Sequence, residues 1–216
     1  YDNTPPFAGI AAPLPGVFYR SLPVLSGAGF DNVAVTTISL SIENTSKAAP
    51  NCYRPNPNND FEGDCGAPSA WFKAQGTTTS WTYTFAPSTW QHNNVYLVRS
   101  SATDNALTAQ TATSSATFTF DIVVPTASMT TPNMPGSPYF NELLASFVGG
   151  TVDSPAGIAT VFVALSSNAG AGGWWNGSDF TGAAETYLPT TANWNLALAG
   201  IGFANGKQYL ARVRTR

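Results

Sequence analysis

Charge is scarce in this chain. Nine Lys and Arg, twelve Asp and Glu and a single His stand among 216 residues, so 10% of the sequence is charged against a usual share of about 25%. Solubility must rest instead on Thr, Ser, Asn and Gly, a surface suited to an environment outside the cell. The net charge is −3 and no basic run occurs, so the footprint that drives phosphate-backbone binding is missing and nucleic acid is not an expected partner. No stretch of about 18 apolar residues appears, which excludes a membrane-spanning helix. Nor does a charged-then-apolar leader open at Tyr1; export is expected to depend on a leader removed or lying upstream.

Only two cysteines occur, Cys52 and Cys65, both within "NCYRPNPNNDFEGDCG". This polar segment has little apparent means of holding its own shape. A disulfide closing it is the simplest expectation, with a chain-entropy gain of roughly 3 kcal/mol, and it implies an oxidising compartment.

What the chain does contain is alternation. "VAVTTISLSIEN" sets Val35, Ile38, Leu40 and Ile42 toward one face and Thr36, Ser39 and Ser41 toward the other. "SWTYTF" does the same with Trp81, Tyr83 and Phe85, and "SATFTFDI" with Phe118 and Phe120. A period of two marks half-buried antiparallel strands. Between them "GFDN", "STWQHNN" and "SATDN" read as turns, in which Asp and Asn bond their own backbone. Sixteen prolines and nineteen glycines suit many short strands better than long helices.

The pattern also repeats. Trp81, Tyr96 and Arg99 are matched by Trp194, Tyr209 and Arg212 at one common offset. Ile38, Leu40 and Ile42 answer Val161, Val163 and Leu165, and Asp31 answers Asp153. "FYRSLPVLSG" answers "YFNELLASFVGG", while Tyr1, Asp2 and Pro6 answer Phe120, Asp121 and Pro125. About seven strand-like runs per hundred residues are the signature of an immunoglobulin-like sandwich. The expectation is an all-β chain of two tandem immunoglobulin-like β-sandwich domains, residues 1–122 and 123–216. The first carries the disulfide loop as an insertion. The second stops short of its last strand, because "VRTR" stands where the first copy continues through "SSATDNALTAQTATSSATFTFDI". That strand is expected either to follow in a longer parent chain or to come from a neighbouring subunit.

The elements "SLPVLSG", "TTTSWTYTF", "YLVRSSATDN" and "WWNGSDF", with the "DNTPP" junction, resemble the tandem immunoglobulin-like repeats of large bacterial surface and secreted proteins. The resemblance spans nearly the whole chain. It implies spacer or adhesive modules rather than enzymes, and partners that are copies of the chain or adjacent repeats in a fibre.

Candidate sites are few. Catalysis is not expected: His92 is the one histidine and sits in a turn, and Asp60, Glu62 and Asp64 read as loop solvation. For a metal, the turns at Asp31 and Asp104 should lie near the entering strand at Asp2, and calcium there would stiffen a junction. For glycans as ligands, Trp174 and Trp175 are the candidate aromatics, although neighbours on a strand point to opposite faces. For glycans as modifications, Asn44 in "NTS" and Asn176 in "NGS" match the acceptor pattern.

Overall fold

The computed structural model describes residues 2–85, 89–132, 144–190 and 193–216. Tyr1 and the first part of "YFNELLASFVGG" lie outside the described residues. The chain is an all-β protein that separates into two compact units, Tyr1–Val123 and Val124–Arg216.

In unit 1 the strands are β1 (Phe7–Ala12), β2 (Val17–Tyr19), β3 (Val24–Phe30), β4 (Val35–Asn44), β5 (Cys52–Arg54), β6 (Asp60–Gly63), β7 (Phe72–Lys73), β8 (Gln75–Gly76), β9 (Trp81–Thr84), β10 (Asn94–Asp104) and β11 (Ser114–Phe120). They form two sheets, in the orders β1-β3-β9-β8 and β2-β11-β10-β4-β5-β6, with β7 also pairing with β4. The alternation seen in the sequence fills the space between them. Ile38, Leu40 and Ile42 from β4, Tyr96 and Val98 from β10, and Phe118 from β11 meet Leu25, Trp81 and Tyr83 of the first sheet in one buried cluster. Ser100 is also fully buried, and its hydroxyl donates to the Ala8 carbonyl at 2.9 Å, a polar tie across the sandwich.

Val35 and Ile38 share a face although their spacing is odd. The register of β4 against β10 slips between Thr37–Thr103 and Val35–Asp104. This bulge re-aims the strand end, and the Thr36 hydroxyl closes it by reaching the Thr103 and Asp104 carbonyls, each at 2.9 Å.

The cysteine segment departs from expectation. Cys52 and Cys65 are bonded, but the residues between them form β5 and β6 and extend the second sheet. Tyr53 and Phe61 are buried in the main core, where Tyr53 packs on Phe72, Tyr83 and Phe85, and Phe61 on Trp90 and Tyr96. The segment is a structured part of the sandwich and not a shapeless insertion.

Unit 2 contains β12 (Thr126–Thr131), β13 (Ser146–Val152), β14 (Val161–Ser167), β15 (Leu188–Thr190), β16 (Asn195–Ala197) and β17 (Tyr209–Thr215). Its sheets run β12-β13-β16 and β15-β14-β17. Phe147, Val161, Val163, Leu165, Trp175, Trp194 and Leu198 make its buried core.

The two units share fine detail. Tyr96 pairs with Asn44 and Val98 with Ile42; at the matching positions Tyr209 pairs with Ser167 and Ala211 with Leu165. The Trp81 ring lies against Gly27, where an added Cβ would overlap the ring and the Gly9 carbonyl; Trp194 lies against Gly149 in the same way, beside the Ser128 carbonyl. Only a glycine admits so close an approach. At the corner before β10 the Tyr96 hydroxyl accepts from the Gln91 N–H at 2.8 Å, and before β17 Tyr209 accepts from the Ala204 N–H at 2.8 Å. An aromatic ring meets each tyrosine edge-on with centroids 4.8 Å apart, Trp90 in unit 1 and Phe203 in unit 2. This is the tyrosine corner of immunoglobulin-like sandwiches.

Candidate functional site

Two places hold groups that the fold brings together without completing. One is the edge of β17. In unit 1, β10 lies between β4 and β11. Its inward residues Tyr96, Val98 and Ser100 are all 0% exposed. Among the described residues β17 pairs with β14 alone, and the matching side chains Tyr209, Ala211 and Val213 are only half-buried.

The polarity of that edge can be assigned. Arg216 and Thr160 exchange backbone bonds, N–H to carbonyl at 2.9 Å one way and 3.1 Å the other. Antiparallel pairing alternates, so Arg214, Arg212 and Leu210 turn their backbone groups toward β14. Thr215, Val213, Ala211 and Tyr209 turn theirs away. The outward row of N–H and C=O groups therefore lies beside the half-buried apolar side chains, the combination that accepts an added strand.

The second place is one pole of unit 1. Asp2, Asp31 and Asp104 each contribute a carboxylate oxygen, and the three atoms lie within 4.8 Å of one another. Each carboxylate is held by local backbone. Asp2 Oδ1 accepts from the Thr4 N–H at 3.0 Å, Asp31 Oδ2 from Val33 at 3.0 Å and Ala34 at 2.9 Å, and Asp104 Oδ1 from Thr108 at 2.7 Å. Asn32 Nδ2 also approaches Asp2 Oδ1, at 3.4 Å. Asp104 is fully buried. Its Oδ2, like Asp31 Oδ1, is a buried atom with no hydrogen-bond partner.

The other sequence candidates are dispersed. Trp175 is buried in the unit 2 core, while Trp174 is half-buried with the Arg212 guanidinium 5.4 Å from its ring centre. The pair presents no shared aromatic platform. Asn44 is 1% exposed within β4, so a sugar on that amide would require the strand end to open. Asn176 is exposed, but its amide is fully engaged, donating to Asp179 at 2.7 Å and Thr181 at 3.1 Å. The Thr181 hydroxyl bond holds the Asp179 carboxyl below its usual range.

Two acidic residues of the disulfide segment have cationic partners, while Asp64 Oδ1 accepts from the Gly66 N–H at 2.8 Å. Asp60 forms a two-point pair with Arg54 at 2.8 and 2.6 Å, which lowers the Asp60 pKa and raises that of Arg54. Glu62 meets Lys47 at 2.5 Å. His92 Nδ1 sits 3.3 Å from Asp121 Oδ1 and accepts weakly from the Ile122 N–H at 3.4 Å. Sequence reasoning missed Trp90, which it placed in a turn. That residue is 7% exposed and donates from Nε1 to the Leu22 carbonyl at 2.8 Å; its alignment with Phe203 at the Trp81–Trp194 offset was the available signal.

Among the described residues no helix is long and apolar enough to cross a membrane. No protein-family model matches the chain, and no curated protein does. Similar solved structures include the fibronectin(III)-like modules of CbhA from Clostridium thermocellum, at 11% identity over 97% of this chain and 86% of that one, with a TM-score of 0.39. Latent PorU from Porphyromonas gingivalis matches at 17% identity over 99% of this chain and 19% of that one, with a TM-score of 0.34. The tetra-tandem repeat in the extending region of a large adhesion protein matches at 16% identity over 89% of this chain and 44% of that one, with a TM-score of 0.29. TM-scores and identities this low assign the chain to none of these groups.

Proposed function

We propose that the chain is a non-enzymatic extracellular structural module, a segment of a stalk or a subunit of a filament, in which the edge of β17 is covered by a strand equivalent to β11, supplied either by the same polypeptide or by a neighbouring unit of the same thread. The half-burial of Tyr209, Ala211 and Val213, against complete burial of Tyr96, Val98 and Ser100, carries this reading. A contact in which one end of a unit receives a strand from the next is heterologous and does not close on itself, so repetition gives fibres. The disulfide fits an oxidising exterior, and "TPP" and "VVP" are short, Pro-containing junctions of restricted bending. An adhesin or carbohydrate-binding role has less support, since Trp175 is committed to the core and Trp174 to Arg212.

The test appends the sequence of residues 105–122 after Arg216 and compares this chain with the original by calorimetry and sedimentation. Completion of the sheet should raise the melting temperature of unit 2 by about 5 °C or more and remove any concentration-dependent association of the original. An unchanged unit 2 transition would contradict the proposal. If the original chain associates and the extended one does not, the strand comes from another copy; if neither associates, it comes from the same polypeptide.

A further inference from the structure

The geometry points to a calcium site at Asp2, Asp31 and Asp104. Three carboxylates converge within 4.8 Å, and Asp104 Oδ2 and Asp31 Oδ1 are buried with no hydrogen-bond partner among the described residues. A buried carboxylate oxygen without a partner is costly, and three like charges in one small volume add mutual repulsion. A cation removes both penalties at once.

The donor set is all oxygen, which selects hard ions and excludes those that favour thiolate or imidazole. Ligand geometry selects among the hard ions: calcium accepts irregular sets of carboxylate oxygens at about 2.4 Å, whereas magnesium at about 2.1 Å demands a near-ideal octahedron and keeps most of its water. The sites are also preorganised. Backbone N–H groups of Thr4, Val33, Ala34 and Thr108 each hold one oxygen of a carboxylate and leave its second oxygen available. The Thr36 hydroxyl fixes the bulge that presents Asp104.

The three ligands come from distinct parts of unit 1. Asp2 lies on the segment leading into β1, Asp31 follows β3 and Asp104 ends β10. An ion there ties the incoming chain to two loops and sets the direction in which the polypeptide enters the sandwich. This would serve a thread under tension, but binding itself does not depend on that reading, and it is measured in unit 1 while the strand-completion test is measured in unit 2.

The experiment titrates calcium chloride into the chelator-treated full chain by isothermal calorimetry and follows melting by differential scanning calorimetry. The expected result is one site per chain with a dissociation constant of about 10⁻⁴–10⁻³ M, the range of extracellular modules. Unit 1 should gain about 5–10 °C in 10 mM calcium, with a smaller gain in equal magnesium. Asp2→Asn, on the segment that precedes β1, should weaken binding at least tenfold. Asp104→Asn should abolish the calcium response while melting no lower than the metal-free parent, because it removes a charge from the repelling group. No heat and no shift in 10 mM calcium would overturn the inference. So would an equal shift in sodium chloride of matched ionic strength, or an undiminished calcium response in Asp104→Asn.

Discussion

Strands β10 and β17 hold the same place in their two units, yet among the described residues one is interior and the other is an edge. Both begin at a tyrosine corner, pair with an equivalent partner in equivalent register, and cover a tryptophan set against a glycine. The local rules that make the strand are thus independent of what lies on its far side. The far side decides burial: Tyr96 is sealed between β4 and β11, whereas Tyr209 is left half-covered. A strand of this kind is specified without a second partner, which is what the proposed accepting edge requires.

The units differ in a second way. Unit 1 concentrates Tyr53, Phe61, Tyr83, Phe85, Trp90, Tyr96 and Phe118 in one connected aromatic cluster and anchors two of these rings through the disulfide segment. Among the described residues the unit 2 core is smaller, and Met129, Phe180, Leu188 and Tyr209 pack on it only half-buried. The Trp81 indole N–H donates to the Gly9 carbonyl at 3.1 Å, while Trp194 Nε1 has no partner.

These contrasts predict unequal responses to matched changes. The largest effect belongs to the tryptophans. Trp81→Ala and Trp194→Ala should each cost about 3–5 kcal/mol by leaving a large cavity, with Trp81→Ala the more damaging because it also strands the Gly9 carbonyl; separate calorimetric transitions for the two units would resolve this. Next, replacing Cys52 and Cys65 together by Ala should destabilise unit 1 by about 3 kcal/mol and leave unit 2 unmoved, as chemical denaturation would show. The smallest effect appears in alkali. Burial pushes the Tyr53 hydroxyl well above its usual range and raises Tyr96 as well. A folded-state pKa above the unfolded value near 10 means that the stabilisation is intact below that pH and is lost as pH climbs beyond it. Unit 1 should therefore loosen above about pH 10, with phenolate absorbance and near-ultraviolet circular dichroism changing together; Tyr53→Phe should blunt the transition.

The sequence made the regular strands legible because alternation is local. Ile38, Leu40 and Ile42, and their counterparts Val161, Val163 and Leu165, all proved buried. Asp2, Asp31 and Asp104 were expected at one pole from strand order alone, and their oxygens do converge there. What could not be read depends on contacts made at a distance. Tyr53 and Phe61 sit in a segment whose average polarity hides them, and their burial comes from rings on β9 and from Trp90. The bulge at Thr36 arises from hydroxyl bonds to β10, and nothing in the spacing of its neighbours announces it. Asn44 matched a surface pattern of three residues, but the same residue ends a central strand whose pairing with Tyr96 buries it.

The most direct test of the edge is residue-resolved amide hydrogen exchange on dilute, monomeric protein. In β10, Val98 and Ser100 should be protected as strongly as Arg99. In β17, Ala211 and Val213 should exchange far faster than Arg212 and Arg214, giving an alternation that vanishes when the appended strand is present. Uniform protection along β17 in the monomer would mean that its second side is already satisfied, and would contradict the account.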